Sequence, residues 1–333
     1  MPENTALLKI EDLKVHFPIR SGLFGAPLGY VRAVDGISFT INHGETFALV
    51  GESGCGKTSA GNAILRMNRP TGGRVVFDGT DMTELKGKAL FDLRRHMQII
   101  FQDPASSLNP KISIGKSVGE PLFVHEGLRG KKLKQRVGEL LETVGLPRQQ
   151  ALRFPHQFSG GQRQRIVIAR ALALRPKLVV CDEPVSALDV SVQSQVLNLL
   201  NSLQRELGLA YLFISHDLSV VRHISDRVAV MYLGRIVELA ATMDLFDNPA
   251  HPYTQTLIMA IPLPDPVAQR QRKKIIVEGE IPSPANPPRG CAFHTRCPLA
   301  RDICRSERPA LVERKPGHWV ACHFEKARID EPL

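Results

Sequence analysis

Two segments in fixed order constrain this chain most: FSGGQRQR at 158–165 and LVVCDE at 178–183. Ser-Gly-Gly-Gln reads as a turn that opens a helix, with bare backbone N–H groups at the positive helix end. The apolar run of Leu178 to Cys181 reads as a buried strand that delivers Asp182 and Glu183 at its carboxyl end. Upstream, TFALV at 46–50 is another short buried strand, running straight into GESGCGKTSA and a helix expected through about Met67.

Around these pieces the pattern is α/β. LLKIEDLKVHF alternates as a strand, PIRSGLFGAPLGY breaks it with Gly and Pro, and VRAVDGISFTI is a further strand candidate, as is RVVFDG at 74–79. From about Asp103 to Arg175 the pattern turns helical, as in KLKQRVGELLETV. Strand signals return at KLVVCD (177–182), LAYLFIS (209–215) and RVAVMYL (227–233), separated by amphipathic stretches such as VQSQVLNLLNSLQREL. A helical insert (about 103–175) inside an α/β domain (6–242) is therefore expected. After Thr242 the chain turns proline-rich (NPAHPY, IPLPDP, IPSPANPP), which marks 243–333 as a separate extension with its cysteines as the fold nucleus.

A chain of 333 residues has room for about two domains. No run approaches the roughly 18 apolar residues of a membrane span, and the charged N-terminus lacks a signal-peptide core. A cytosolic protein is expected. The net charge of +10 raises nucleic acid or anionic lipid as partners. Its basic runs, at 129–136 and 270–274, are short and read as solvated faces.

Gly51-Glu52-Ser53-Gly54-Cys55-Gly56-Lys57-Thr58, followed by Ser59, fits G-x-x-x-x-G-K-[ST] between a buried strand and a helix. Such a loop curls so that successive N–H groups face phosphate oxygens. Lys57 adds a point charge for the β- and γ-phosphates, and the Thr58 hydroxyl can ligand Mg²⁺. Asp182 is placed to hold Mg²⁺ through water, and Glu183 to orient or deprotonate an attacking water. The plain alternatives are a chance glycine turn, which the strand–helix context disfavours, and a second structural acid at a strand end. Cys55 reads as a spacer and Cys181 as a small hydrophobe.

With these motifs the chain resembles the ATP-binding subunits of ABC transporters. The resemblance implies a P-loop NTPase (RecA-like) core with an antiparallel β subdomain and a helical insert. Gln102 in FQDPASSLNP matches the Q-loop glutamine, which joins Thr58 and Asp182 around Mg²⁺. FSGGQ is the signature motif, with Phe158 where Leu is more frequent. SALD at 186–189 resembles the D-loop, ending in Asp189, and His216 in YLFISHD matches the switch histidine. In this family two subunits sandwich two ATP molecules head to tail. Ser159, Gly160, Gly161 and Gln162 would then reach the γ-phosphate held by the opposing subunit. Catalysis would fall to Glu183, His216 and Gln102, and Phe17 is the candidate to stack on adenine.

Exporters fuse this ATPase to membrane helices, repair members insert a long coiled coil, and translation members carry two cassettes. None of these patterns is present in the sequence. FQDPASSLNP and NPAHPYTQTL resemble the oligopeptide/dipeptide (and nickel) importer ATPases, from about Leu8 to Cys322. That likeness implies an F-type subunit paired with a paralogous ATPase. It also implies two transmembrane permeases, an extracytoplasmic substrate-binding protein reached through them, and a peripheral place on the cytoplasmic face of the inner membrane. No direct nucleic acid is expected. The rival from another class is a soluble ABC ATPase acting on nucleic acid or iron–sulfur assembly; a third is a regulatory subunit that binds ATP without turnover.

Cys291, Cys297, Cys304 and Cys322 are spaced C-x5-C-x6-C-x17-C. These gaps are wider than the close pairs of structural zinc knuckles, and four thiolates suit a 4Fe-4S cluster equally well. Zinc and unligated thiols stay open on spacing alone. The importer resemblance implies the iron–sulfur cluster. His294, His318 and His323 are close enough in sequence to substitute as ligands but read as surface or packing residues.

Overall fold

A computed structural model of the chain describes residues 6–20, 27–262, 270, 279–325, 327 and 329. Part of the PIRSGLFGAPLGY break, most of IPLPDP and the basic run at 270–274 apart from Arg270 lie outside the described residues.

Along the chain, β1 (Leu8–Arg20), β2 (Pro27–Ile41) and β3 (Thr46–Val50) precede α1 (Lys57–Ile64), β4 (Gly72–Phe77) and β5 (Thr80–Asp81). Next come α2 (Gly87–Arg94), β6 (Met97–Ile100), α3 (Pro104–Ser107), α4 (Ile114–Glu126), α5 (Gly130–Thr143) and α6 (Gly160–Leu172). The chain continues through β7 (Leu178–Asp182), α7 (Val190–Leu207), β8 (Ala210–Ser215), α8 (Leu218–Ile224), β9 (Arg227–Tyr232) and β10 (Arg235–Ala241). It goes on with α9 (Thr242–Asp247), α10 (Pro252–Met259), α11 (Asp302–Ser306), β11 (Val312–Lys315) and β12 (His318–Val320). The residues fall into two compact units, one of 42–45 and 84–213, the other of 6–41, 46–83 and everything from Ile214 onward.

In the first unit β6 and β7 pair in parallel, Met97 opposite Leu178 and Ile100 opposite Cys181. Every residue of β7 is buried, as expected of a strand covered on both faces. Helices α4 and α5 each bury a stripe, Val118 and Leu122 on the one, Val137 and Leu141 on the other, while α6 is buried nearly all round, from Ile166 through Ala169 without a break. The basic run at 129–136 opens α5, with Arg129, Lys131, Lys132 and Lys134 exposed, so it is the solvated face that was expected. Asp189 caps the start of α7, and Gly208, with a left-handed backbone, ends it.

The second unit contains an antiparallel sheet in the order β2-β1-β4-β5. In the same unit β3 lies parallel to β9, with β10, β12 and β11 following outward. The Cys-rich extension therefore has more than its cysteines to fold around. Its β12 pairs with β10, Glu238 opposite Val320, and Val320 and Phe293 are buried at 0% and 1% exposure.

Three local expectations change. β1 continues through Pro18 to Arg20, because this end pairs with β2 alone and a proline on an edge loses no ladder bond. Helix α1 stops at Ile64, short of Met67. The strands MQII (β6) and RIVELAA (β10) and the helix α2 carry no strong punctuation, and the sequence reading passed over them.

Candidate nucleotide site and its relatives

The phosphate loop leaves buried β3 and enters α1, as its motif requires. Gly56 sits at φ 106°, and a Cβ there would lie 1.9 Å from the Ala33 carbonyl oxygen, so no other residue fits. Lys57 is buried, and its Nζ donates to the carbonyl oxygens of Gly51 (2.8 Å) and Glu52 (3.0 Å). The ammonium thus lies across the concave side of its own loop. Thr58, Ser53 and Gly54 are exposed, while Ser59 is half-buried. Cys55 is buried and desolvation pushes its thiol up, which fits a spacer rather than a nucleophile.

Two features of this loop were not anticipated. Glu52 donates its backbone N–H to Tyr253 Oη at 2.8 Å, and its carboxylate takes both guanidinium nitrogens of Arg296, at 2.7 and 3.0 Å. Both partners come from the extension. No local signal marks them; the arginine lies 244 residues from Glu52. Phe17, on β1, is 40% exposed, so its ring is free of the core and available to a planar ligand. His216 follows β8 and is exposed.

In the other unit, Asp182 ends β7 at 6% exposure and Glu183 follows it half-buried. Glu183 carries a left-handed backbone, φ 48°, a conformation that bulky residues adopt only where the surroundings impose it. Gln102 Nε2 donates to Glu183 Oε2 at 2.9 Å, which joins two of the three expected catalytic residues.

Ser159 is the N-cap of α6 in a reciprocal capping box. Its Oγ accepts the Gln162 N–H at 3.3 Å, and Gln162 Oε1 accepts the Ser159 N–H at 3.1 Å. The cap uses an oxygen lone pair and leaves the hydroxyl proton to donate outward. Gly160 is exposed and Gly161 is buried; a Cβ on Gly161 would lie 2.3 Å from Val192 Cγ1. Asp189 Oδ1 accepts the Val192 N–H and the Ser191 hydroxyl, which together hold its carboxyl below the usual range.

Cys291, Cys297, Cys304 and Cys322 line one small pocket with Phe293 and Phe324. Burial pushes the Cys291 thiol up to about 11 and Cys297 to about 12. Among the described residues no group of three or more His, Cys, Asp or Glu is arranged to hold a metal ion, so neither the iron–sulfur expectation nor the zinc alternative has support from this geometry. His294 Nδ1 and His323 Nε2 bond the carbonyls of Cys291 and Glu307, and His318 is held between Glu238 and Asp244. All three histidines thus have partners other than a metal, in keeping with their reading as packing residues.

The comparisons agree with this geometry. Residues 34–186 match the ABC transporter family, and residues 237–304 match the oligopeptide/dipeptide transporter C-terminal region. The oligopeptide transport ATP-binding protein AppF of Bacillus subtilis is 52% identical over 96% of this chain and 97% of its own length. OppF of Salmonella typhimurium, another oligopeptide transport ATP-binding protein, is 50% identical over 96% of each chain. Among solved structures, the dimeric ATP-binding cassette MJ0796 with ADP and Pi is similar at TM-score 0.62 and 27% identity, over 71% of this chain and 98% of that one. CbiO1 of Clostridium perfringens is similar at TM-score 0.63 and 29% identity, over 73% of this chain and 91% of that one. A phosphate loop, a capped signature helix and a family-specific extension in one chain, with relatives matched end to end, place this protein in the family of ATP-binding ATPase subunits of oligopeptide/dipeptide ABC transporters.

Proposed function

We propose that the chain is the F-type ATPase subunit of a peptide importer, pairing with a paralogous ATPase and driving two permeases fed by an extracytoplasmic binding protein. The observation that carries this reading is the joint presence in this chain of the cassette (34–186) and the peptide-transporter region (237–304), with relatives matched over nearly their whole length. The reading keeps a domain boundary near 242/243, and it disfavours the nucleic-acid and assembly rivals, whose support was net charge alone. No described helix is long and apolar enough to cross a membrane, which suits a subunit held peripherally at the inner membrane's cytoplasmic face through its permeases.

In this mechanism residues 51–59 cradle the ATP phosphates, Lys57 faces the β- and γ-groups, and Phe17 stacks on adenine. Thr58, Gln102 and Asp182 hold Mg²⁺, while Glu183 orients water with His216 nearby. Ser159, Gly160, Gly161 and Gln162 meet the γ-phosphate of the paralogue's site, and Asp189 holds the start of α7 at that interface. The outward hydroxyl proton of Ser159 and the positive end of α6 support this role. Permease docking is assigned to the helical unit. There a groove of about 310 Å³ runs among Phe101, Pro121, Val124, His125, Val167 and Leu174, with Phe101 and Val124 exposed.

For the four cysteines the reading is a 4Fe-4S cluster. Four thiols lining one small pocket are a donor set of the right kind and number, and that chemistry is what supports the reading. When bound, such a group would cross-link the extension through thiolates; Phe293 and Phe324 shield the pocket from water. Iron and acid-labile sulfide in anaerobically purified protein, lost in Cys297→Ser, is the expected result.

The deciding experiment for transport is affinity purification of tagged Glu183→Gln protein from detergent-solubilised membranes with MgATP, followed by mass spectrometry. Two permeases and a second ATPase are expected. Recovery of soluble or nucleic-acid-bound partners alone would overturn the transport reading.

A further inference from the structure

An acidic residue inside a phosphate loop is an electrostatic liability. Glu52 is the second residue of the loop, and its carboxylate would raise the cost of bringing a polyanion onto the neighbouring N–H groups. The carboxylate is not left to act on the site. Arg296 takes it bidentately, at 2.7 and 3.0 Å, with side-chain exposures of 10% for the arginine and 29% for the glutamate. A fork-on-fork pair fixes direction as well as charge, so it holds the carboxylate in one orientation and neutralises it.

The backbone of the same loop is pinned independently. Tyr253 Oη accepts the Glu52 N–H at 2.8 Å, and Gly234 donates its N–H to the Cys55 carbonyl at 2.9 Å. Tyr253 and Arg296 are held in turn by one aromatic cluster. The rings of Tyr232, Tyr253 and Phe293 lie 4.7 to 5.3 Å apart, and the Arg296 guanidinium lies 6.0 Å from the Phe293 ring. Phe293 and Arg296 sit between Cys291 and Cys297, so the segment that gathers the thiols also sets the guanidinium.

We propose that Arg296 and Tyr253, both from the C-terminal extension, are positioning residues of the nucleotide site: Arg296 neutralises Glu52, and Tyr253 fixes its backbone. The inference rests on residues 51–59 being the ATP phosphate loop. It makes the extension part of the nucleotide site's affinity rather than a separate appendage.

The test is equilibrium ATP affinity of the full-length chain in EDTA, which prevents turnover, with thermal unfolding in parallel. Arg296→Ala is expected to weaken ATP roughly tenfold, because it uncovers a carboxylate beside the polyphosphate. Arg296→Ala combined with Glu52→Gln should return affinity most of the way, since the cost lies in the bare charge. A merely structural arginine would give a double variant as weak as the single one, and that result would overturn the proposal. So would unchanged affinity in Arg296→Ala. Should Arg296→Ala fail to fold, Arg296→Lys keeps the charge but loses the fork and should fall between wild type and the expected loss. Tyr253→Phe, which keeps the ring in its cluster but deprives the Glu52 N–H of its acceptor, should weaken ATP several-fold with only a small drop in the unfolding midpoint; wild-type affinity there would remove Tyr253 from the proposal. Lys57→Ala separates the two readings: undiminished ATP binding by that variant would refute the phosphate-loop assignment itself, whatever Arg296 does.

Discussion

Gln102 Nε2 donates to Glu183 Oε2 at 2.9 Å, so the glutamine after β6 holds the carboxylate after β7. The bond ties a residue that neighbours the proposed docking groove to the proposed catalytic base. A partner that shifts Gln102 would loosen its hold on the Glu183 carboxylate. Glu183→Gln keeps the shape and the left-handed backbone but removes the base. Steady-state hydrolysis should fall by roughly 100-fold or more, with ATP binding kept and the closed dimer accumulating. Turnover at the wild-type rate in a phosphate-release assay would remove Glu183 from that role.

Ser159 performs two tasks that substitution can separate. Ser159→Ala loses the cap of α6, costing about 1 kcal/mol, and also loses the outward hydroxyl. Ser159→Asp keeps a good cap but sets a negative charge where a γ-phosphate should arrive. The aspartate variant should therefore melt near wild type yet fail to form the ATP-dependent dimer in size-exclusion chromatography. A dimer as stable as wild type would place the γ-phosphate contact elsewhere.

Gly161 is required by packing rather than by backbone conformation, since a Cβ would meet Val192 Cγ1 at 2.3 Å. Valine is stiff at χ1 and cannot swing aside. Gly161→Ala should destabilise the chain by about 1–3 kcal/mol, as overpacking does. Adding Val192→Ala should recover most of that loss in denaturant unfolding. No recovery would mean that another contact sets the limit.

What the sequence disclosed follows the range of the interactions concerned. The phosphate loop, the capped start of α6 and the buried strands β3, β7 and β8 are set by residues adjacent in sequence, so their spacing alone revealed them. β10 was missed because RIVELAA mixes a charge into an apolar run. That charge, Glu238, is satisfied by His318 and by the backbone of Ala250 and His251. The clamp on Glu52 was illegible for the same reason: Arg296 and Tyr253 meet the loop only after the extension folds back. A glutamate inside a phosphate loop was the sole hint, and it named no partner.

His318 lies almost fully buried, its Nε2 2.7 Å from Glu238 Oε1 and its Nδ1 2.6 Å from Asp244 Oδ2. The hydrogen bond to Glu238, reinforced by that to Asp244, raises the imidazole above its ordinary value of 6.5. A histidine whose folded pKa is raised binds its proton more tightly when folded, so protonation stabilises the fold. The contribution is fully present below about 6.5, the unfolded value, and is lost as pH rises through the folded pKa above it. His318→Gln cannot titrate. The difference in unfolding midpoint between wild type and His318→Gln should therefore be largest near pH 6 and narrow as the solution becomes alkaline. A gap that stays constant, or widens with pH, would mean that the imidazole is neutral when folded and that Glu238 is held by its backbone donors alone.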